Sequence, residues 1–406
     1  MKQTFILGGV ALALVLAVGA FVFFFSGTGE DAGQASGDER RGGLFGSLFP
    51  FQSGGSQQVP SDGDGEGTLE TPQPDGTVPQ LRRVSDQPAA GGTYFANPDG
   101  SMSIRYIERA SGHIFETLAD RSTVKRVSNT TVPGIQEALW LSKNSLVLRY
   151  LNDDGEVETF LATLASTTAE QTLQGKFLPS WDRATLDSSR TNILSVEEGA
   201  SGSTLYVTKA DGTGKRVVYT SPLRSWSPLQ SDRDIFLQTA AASGVPGFLY
   251  RLSGQTLVKV LGDVAGLVAV VNPSGRYVLF SAGAEDTLAT YLIDTSNNEL
   301  YESPVATIAS KCAFLGKDSP EAVCGVPATI PDGSYPNDWL LGRVSFSDDV
   351  WVVDAVAGAA QLVALPEEEA RASLDVTYPT VSPDGTYFGF IDKNNLSFWS
   401  LRLLPE

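Results

Sequence analysis

The sequence predicts an all-β fold, a seven-bladed β-propeller of four-stranded blades, behind one N-terminal transmembrane helix and a disordered linker. Three observations carry this prediction. From about residue 80, short apolar, β-branched and aromatic runs alternate with turn residues, and helical periodicity is almost absent. A corner of the form Ser/Asn-Pro-x-Gly recurs at Asn97-Pro98-Asp99-Gly100, Asn272-Pro273-Ser274-Gly275 and Ser382-Pro383-Asp384-Gly385. Aligned on the proline position, with weaker copies included, the corners fall at 98, 143, 183, 228, 273, 317 and 383. The intervals are 45, 40, 45, 45, 44 and 66, and a repeat of about 45 residues is the period of a propeller blade.

The elements follow in chain order. Phe5 to Phe25 is uncharged over 21 residues, long enough as a helix to cross a hydrocarbon layer of about 30 Å. A cleaved signal peptide is the rival reading. Its apolar run would be about 7 to 15 residues, and a cut after Gly19-Ala20 would leave the greasy terminus Phe21 to Phe25. We therefore read residues 1–26 as an uncleaved anchor and the membrane as one partner. Lys2 lies on the near side, and Arg40 and Arg41 stand far beyond the other end, so the positive-inside rule places the rest of the chain outside the cytoplasm. Residues 27–79 are rich in Gly, Ser, Pro and acids and are expected to be a disordered tether. Ser61 to Gly67 resembles the start of a calcium loop without its remaining ligands. The apolar segment Leu44 to Phe51 reads either as a dip into the membrane interface or as a docking peptide.

The propeller is expected over 80–406. Each strong corner sets φ with proline and supplies a permissive glycine, as a tight antiparallel turn requires. Two further strands and often a third follow, for example Tyr277–Ser281 and Ala289–Asp294. The last repeat stops after Leu396–Leu401 without a fourth strand. Residues 80–86 precede the first repeat and resemble a fourth strand, so they are expected to complete the last blade and close the ring.

Strand, Ser-Pro-Asp-Gly, strand: this pattern resembles the WD40-like propeller repeat of bacterial TolB-type periplasmic proteins, over roughly residues 80–404 and best at Val381 to Leu401. The chain lacks the Trp-Asp dipeptide that ends a strand in true WD40 repeats. The resemblance implies the propeller fold and a non-catalytic role at the cell envelope. Fold alone does not specify function.

The 66-residue interval exceeds the period, and the excess falls at about 326–346 in the sixth blade. Loops on a rigid scaffold are where binding residues sit. Asp332, Tyr335, Asn337, Asp338, Trp339 and Arg343 offer aromatic surface and polar groups, as a hot spot for a protein or sugar would. The alternative is that Tyr335 and Trp339 pack down to hold a long loop. Cys312 and Cys324 flank the corner of the same blade, where facing residues of adjacent strands come within disulfide range.

Composition narrows the chemistry. With 47 acids against 29 bases, a net charge of −18 and no basic cluster, a nucleic-acid partner is not expected. One histidine, His113, leaves little room for a zinc hydrolase or a Ser-His-Asp site, and it reads as structural. No motif calls for a metal or cofactor. The acid pairs Asp153-Asp154, Glu197-Glu198 and Asp348-Asp349 read mostly as turns or solvated positions, since neighbours in a strand point to opposite faces. Trp140, Trp181 and Trp226 recur near first strands and read as packing between blades. The sequence thus points to a non-catalytic extracytoplasmic protein that offers a propeller face to an envelope or surface protein. An extracytoplasmic glycan- or peptide-acting hydrolase or lyase working in the central channel, or a carbohydrate-binding module, remains the competing class.

Overall fold

The computed structural model describes residues 78–166 and 171–403. The span Phe5 to Phe25, the tether and the segment Leu44 to Phe51 lie outside the described residues. No helix among the described residues is long and apolar enough to cross a membrane.

Seven four-stranded antiparallel sheets form the blades. Six of them use four consecutive strands, and their first strands are Ala89–Ala96, Ile135–Ser142, Arg183–Leu186, Ser227–Gln230, Val268–Val271 and Cys312–Phe314. The seventh begins with Val376–Val381, continues through Tyr387–Asp392 and Phe398–Arg402, and takes its fourth strand from Leu81–Arg83 at the other end of the chain. Leu81 faces Leu401 and Arg83 faces Trp399, so the expected closure is present. Open edges at the joint are thereby removed.

Inner strands such as Met102–Glu108 and Ala322–Pro327 are buried along nearly their whole length, because each blade packs both faces against its neighbours. Tyr94, Ile104 and Tyr106 of blade 1 pack with Ile391 and Phe398 of blade 7, and the Tyr94 hydroxyl lies 2.8 Å from Ser400 Oγ. Trp181 packs between blades 2 and 3, Trp226 between blades 3 and 4. Trp140 meets Phe95 of blade 1 edge-on. All three tryptophans are buried, which fits inter-blade packing, although Trp140 lies within a first strand, two residues before its end, while the other two precede theirs.

Two corners lie elsewhere than the proline alignment puts them. Position 183 is inside the first strand of blade 3, whose corner runs from Asp187 to Thr191. Pro228 is inside the first strand of blade 4, whose corner is Ser231 to Asp234. The shared element is a side-chain acceptor at the first corner residue, which turns the chain by accepting from amides ahead of it. Asp187 accepts from the Thr191 and Asn192 amides, Ser231 from Asp234, Asn272 from Tyr277 and Ser382 from Tyr387.

Candidate functional site

The insertion leaves blade 6 between the strands Ala322–Pro327 and Asp348–Asp354 and carries a four-residue helix, Asn337–Leu340. Its sequence fastens it to three other blades. Toward blade 5, Gly333 exchanges hydrogen bonds with Asp286, and the Tyr335 amide donates to the Ala284 carbonyl at 3.1 Å. That approach requires glycine beneath it: a Cβ on Gly283 would lie 2.6 Å from the Tyr335 carbonyl oxygen. Toward blade 4, the Ser243 amide donates to Asn337 Oδ1 and the Asn337 amide to Ser243 Oγ, both at 3.1 Å. Within the loop, Asp338 accepts from the Ser334 amide at 2.8 Å and from Arg343 Nη1 at 3.1 Å, and these bonds hold its carboxyl below the usual carboxylate range.

Toward blade 7 the fastening is ionic and buried. Trp339 Nε1 donates to both Asp375 carboxylate oxygens at 2.9 and 3.0 Å, and the Phe346 amide donates to the same group at 3.1 Å. Lys311, which precedes the first strand of blade 6, pairs with Asp375 and with Asp348 Oδ2 at 2.7 Å. Lys393 Nζ donates to the Trp339 carbonyl at 2.6 Å. Both ammonium groups lie within 5 Å of the Trp339 ring centroid, where the ring face attracts cations. Asp392 Oδ1 accepts from the Asp375 amide at 3.0 Å and completes the cluster.

Burial dominates the electrostatics. It pushes the Asp348 carboxyl up to about 6 against the pull of Lys311, pushes Asp392 up as well, and draws Lys393 down. Asp348 Oδ1 and Asp392 Oδ2 are buried without a hydrogen-bond partner. Perturbed carboxyls from two blades do therefore converge. However, Lys311, Asp348, Asp375 and Asp392 are all buried beneath Trp339 and Phe346. A general acid or base must reach its substrate directly or through one water. As folded, the cluster clamps the insertion.

The six residues singled out by sequence divide accordingly. Tyr335 and Trp339 are buried with Phe346, Val268 and Ile308, so these two rings are packing groups and the surface they were expected to offer is absent. Asn337 and Asp338 are half-buried and spent on holding the loop, whereas Asp332 and Arg343 are exposed. Next to them, Leu340 and Leu341 are 51% and 64% exposed. Asp348 corrects the solvated reading of its acid pair. His113, expected to be structural, meets Thr131 Oγ1 at 3.3 Å. Cys312 and Cys324 face each other and form a disulfide. Among the described residues no cluster of three or more metal-ligating side chains occurs.

Lys311, Asp375, Asp392 and Lys393 went unnoticed in the sequence. The one available signal was the lone charge set between apolar residues, as in Leu374-Asp375-Val376.

No family model and no curated protein matches the chain. Among solved structures, an oligogalacturonate lyase from Vibrio parahaemolyticus is similar at 11% identity and a TM-score of 0.50, over 80% of this chain and 94% of the other. The β-propeller domain of the Trilobed protease from Pyrococcus furiosus gives 11% and 0.48, over 77% and 98%. TolB from Acinetobacter baumannii gives 11% and 0.38, over 77% and 78%. At such identities likeness extends to the propeller fold alone; the seven blades expected from the count and spacing of the corners are present.

Proposed function

We propose that this chain is a non-catalytic extracytoplasmic binding protein, anchored through Phe5 to Phe25 and held off the bilayer by residues 27–79. It presents the insertion-bearing face of its propeller to a protein of the cell envelope or surface. The observation that carries this reading is the pair Leu340 and Leu341, exposed at the end of a helix whose loop is fastened to blades 4, 5 and 7. Exposed apolar side chains on a pre-ordered support, with the exposed polar groups of Asp332 and Arg343 in the same loop, suit the apolar centre and polar surroundings of an interface. Pre-ordering lowers the entropy lost on association. The Cys312–Cys324 disulfide favours an oxidising compartment outside the cytoplasm. Sealing of the perturbed acids weighs against a hydrolase at this cluster.

In-cell crosslinking followed by capture tests the reading, with the parent beside Leu340→Asp/Leu341→Asp, a change at exposed positions that leaves the clamp intact. The expected result is a protein partner captured by the parent and lost from the variant. Equal capture by both would remove the insertion from the interface.

A further inference from the structure

The first strands of neighbouring blades approach one another all the way round the ring, so they line its central channel. Each corner between a first and a second strand therefore stands at one mouth of that channel. The insertion leaves blade 6 after Pro327, at the opposite end of the strands. At the corner mouth one residue breaks a backbone rule. The fourth corner position is glycine in blades 1, 5 and 7, where Gly100, Gly275 and Gly385 have φ 85°, 80° and 75° and close the turn onto Asn97, Asn272 and Ser382. In blade 3 the same position is Arg190, with φ 58° and its amide donating to the Asp187 carbonyl at 2.9 Å. Left-handed backbone is uncommon for a residue with a Cβ, and such strain collects at functional sites.

The side chain crosses the mouth. Blade 2 stands between blades 1 and 3, yet Arg190 Nη2 donates to Thr93 Oγ1 of blade 1 at 2.9 Å, and the guanidinium lies over the Phe95 ring, 5.5 Å from its centroid. Phe95 is itself met edge-on by Trp140 of blade 2. Thr93 Oγ1 is in turn 3.2 Å from Thr380 Oγ1 of blade 7. Hydrogen-bond donors are in surplus here. Arginine can only donate, so Thr93 Oγ1 accepts from it, and the bond between the two hydroxyls uses one of their two protons. The other hydroxyl proton and the remaining N–H groups of Arg190 meet no acceptor among the described residues. Nor does a carboxylate face the guanidinium: burial alone acts on its pKa, lowering it, with no charge in opposition. In a chain with 47 acids against 29 bases, a partly buried arginine without a counter-ion stands out.

We propose that the corner mouth of the channel is an oxyanion site, separate from the leucine surface, in which the Arg190 guanidinium and the Thr380 hydroxyl bind a carboxylate or phosphate group carried by a ligand. Phe95 supports the guanidinium by its face and leaves N–H edges free, and that planar fork matches either oxyanion. Thr93, buried beneath it, fixes the fork and hands its own proton to Thr380. Only donors converge, so the site suits negative charge and repels a cation. Desolvation of an unpaired charge is unfavourable, and an incoming anion offsets it. A tie between blades needs none of this: a neutral side chain would meet the Thr93 hydroxyl, and glycine would make the corner without strain, as in blades 1, 5 and 7.

The test is protection of Arg190 from phenylglyoxal, an arginine reagent, in the full-length protein in detergent. Modification is read by peptide mass spectrometry in chloride, in inorganic phosphate and in succinate, at one pH and ionic strength, and Tm is measured in the same solutions. Arg190 is expected to react in chloride and to be protected saturably by phosphate or succinate at millimolar concentration, with the other arginines unaffected and Tm raised. Protection by phosphate alone assigns a phosphorylated ligand, and protection by succinate alone a carboxylated one. Thr380→Val should need several-fold more anion for the same protection, with Tm in chloride unchanged. Arg190→Gly should lose the anion-dependent rise in Tm while its Tm in chloride is unchanged or higher. The proposal is overturned if Arg190 resists the reagent in chloride, if neither anion protects it, if Thr380→Val is protected as the parent is, or if Arg190→Gly lowers Tm in chloride and so marks the side chain as a tie between blades.

Discussion

Replacing Lys311 with Met removes the one ammonium shared by Asp348 and Asp375 and leaves two carboxylates facing each other beneath Trp339. Lys393 Nζ, 3.9 Å from Asp375, compensates in part. Breaking a buried pair from one side costs about 3–5 kcal/mol, since the remaining charge stays desolvated. Lys311 serves two such partners at no exposure, so a loss near the upper end is expected at pH 7. The pH dependence has a definite sign. Asp348 already titrates in the folded state near 6, above the unfolded value of about 3.9. A carboxyl raised in this way favours folding at low pH, and that contribution is lost as pH rises through the folded value. Removing Lys311 lifts the carboxyl further, so the deficit of the variant grows from pH 5 to pH 7. Urea unfolding followed by tryptophan fluorescence at both values measures it. A combined Lys311→Met/Asp348→Asn/Asp375→Asn protein should recover most of the loss at pH 7. A deficit under about 1 kcal/mol, or one equal at pH 5 and pH 7, would refute the reasoning.

Other expectations follow from the same contacts. Deleting residues 80–86 removes the strand that pairs with Phe398–Arg402 and exposes the partners of buried Leu81 and Val84; at about 1.5–3 kcal/mol per side chain, Tm should fall by many degrees, and an unchanged melt would reject closure by this strand. Asp187 is pushed up by burial but held below the usual carboxylate range by hydrogen bonds from Asn192, Thr191 and Ser189. Its contribution is present above about pH 4 and lost as pH falls through its folded value, so Asp187→Ala should cost about 2 kcal/mol at pH 7 and progressively less as pH falls below about 4, as read by urea midpoints. Reducing the Cys312–Cys324 bridge, which closes a short loop of sequence separation 12, should cost about 3 kcal/mol in the chain-entropy account and be visible in thermal melts with and without reductant.

Local chemistry was legible where the determinants are near in sequence. Proline and glycine announced three corners, and the surplus between 317 and 383 located the insertion. Blades 3 and 4 were displaced because their turns rest on Asp187 and Ser231 as acceptors, a device that needs no proline. The clamp was not legible because its partners are remote: Lys311 and Asp375 are separated by 64 residues. A single buried charge looks like a solvated one until its counter-ion is placed. For the same reason Tyr335 and Trp339 could be read as surface or as packing, and the choice was made by Gly283 and Asp375, elsewhere in the chain.

The account turns on the insertion being a rigid part of the propeller that presents Leu340 and Leu341 in one fixed position. Hydrogen exchange of the intact protein measures this directly, at the amides of Tyr335, Arg343, Val344 and Phe346, whose acceptors are Ala284, Asp338 and Asp375. Exchange as slow as in the blade strands is predicted, with the Phe346 amide accelerated in Lys311→Met. Exchange at the rate of an unstructured loop would contradict the account.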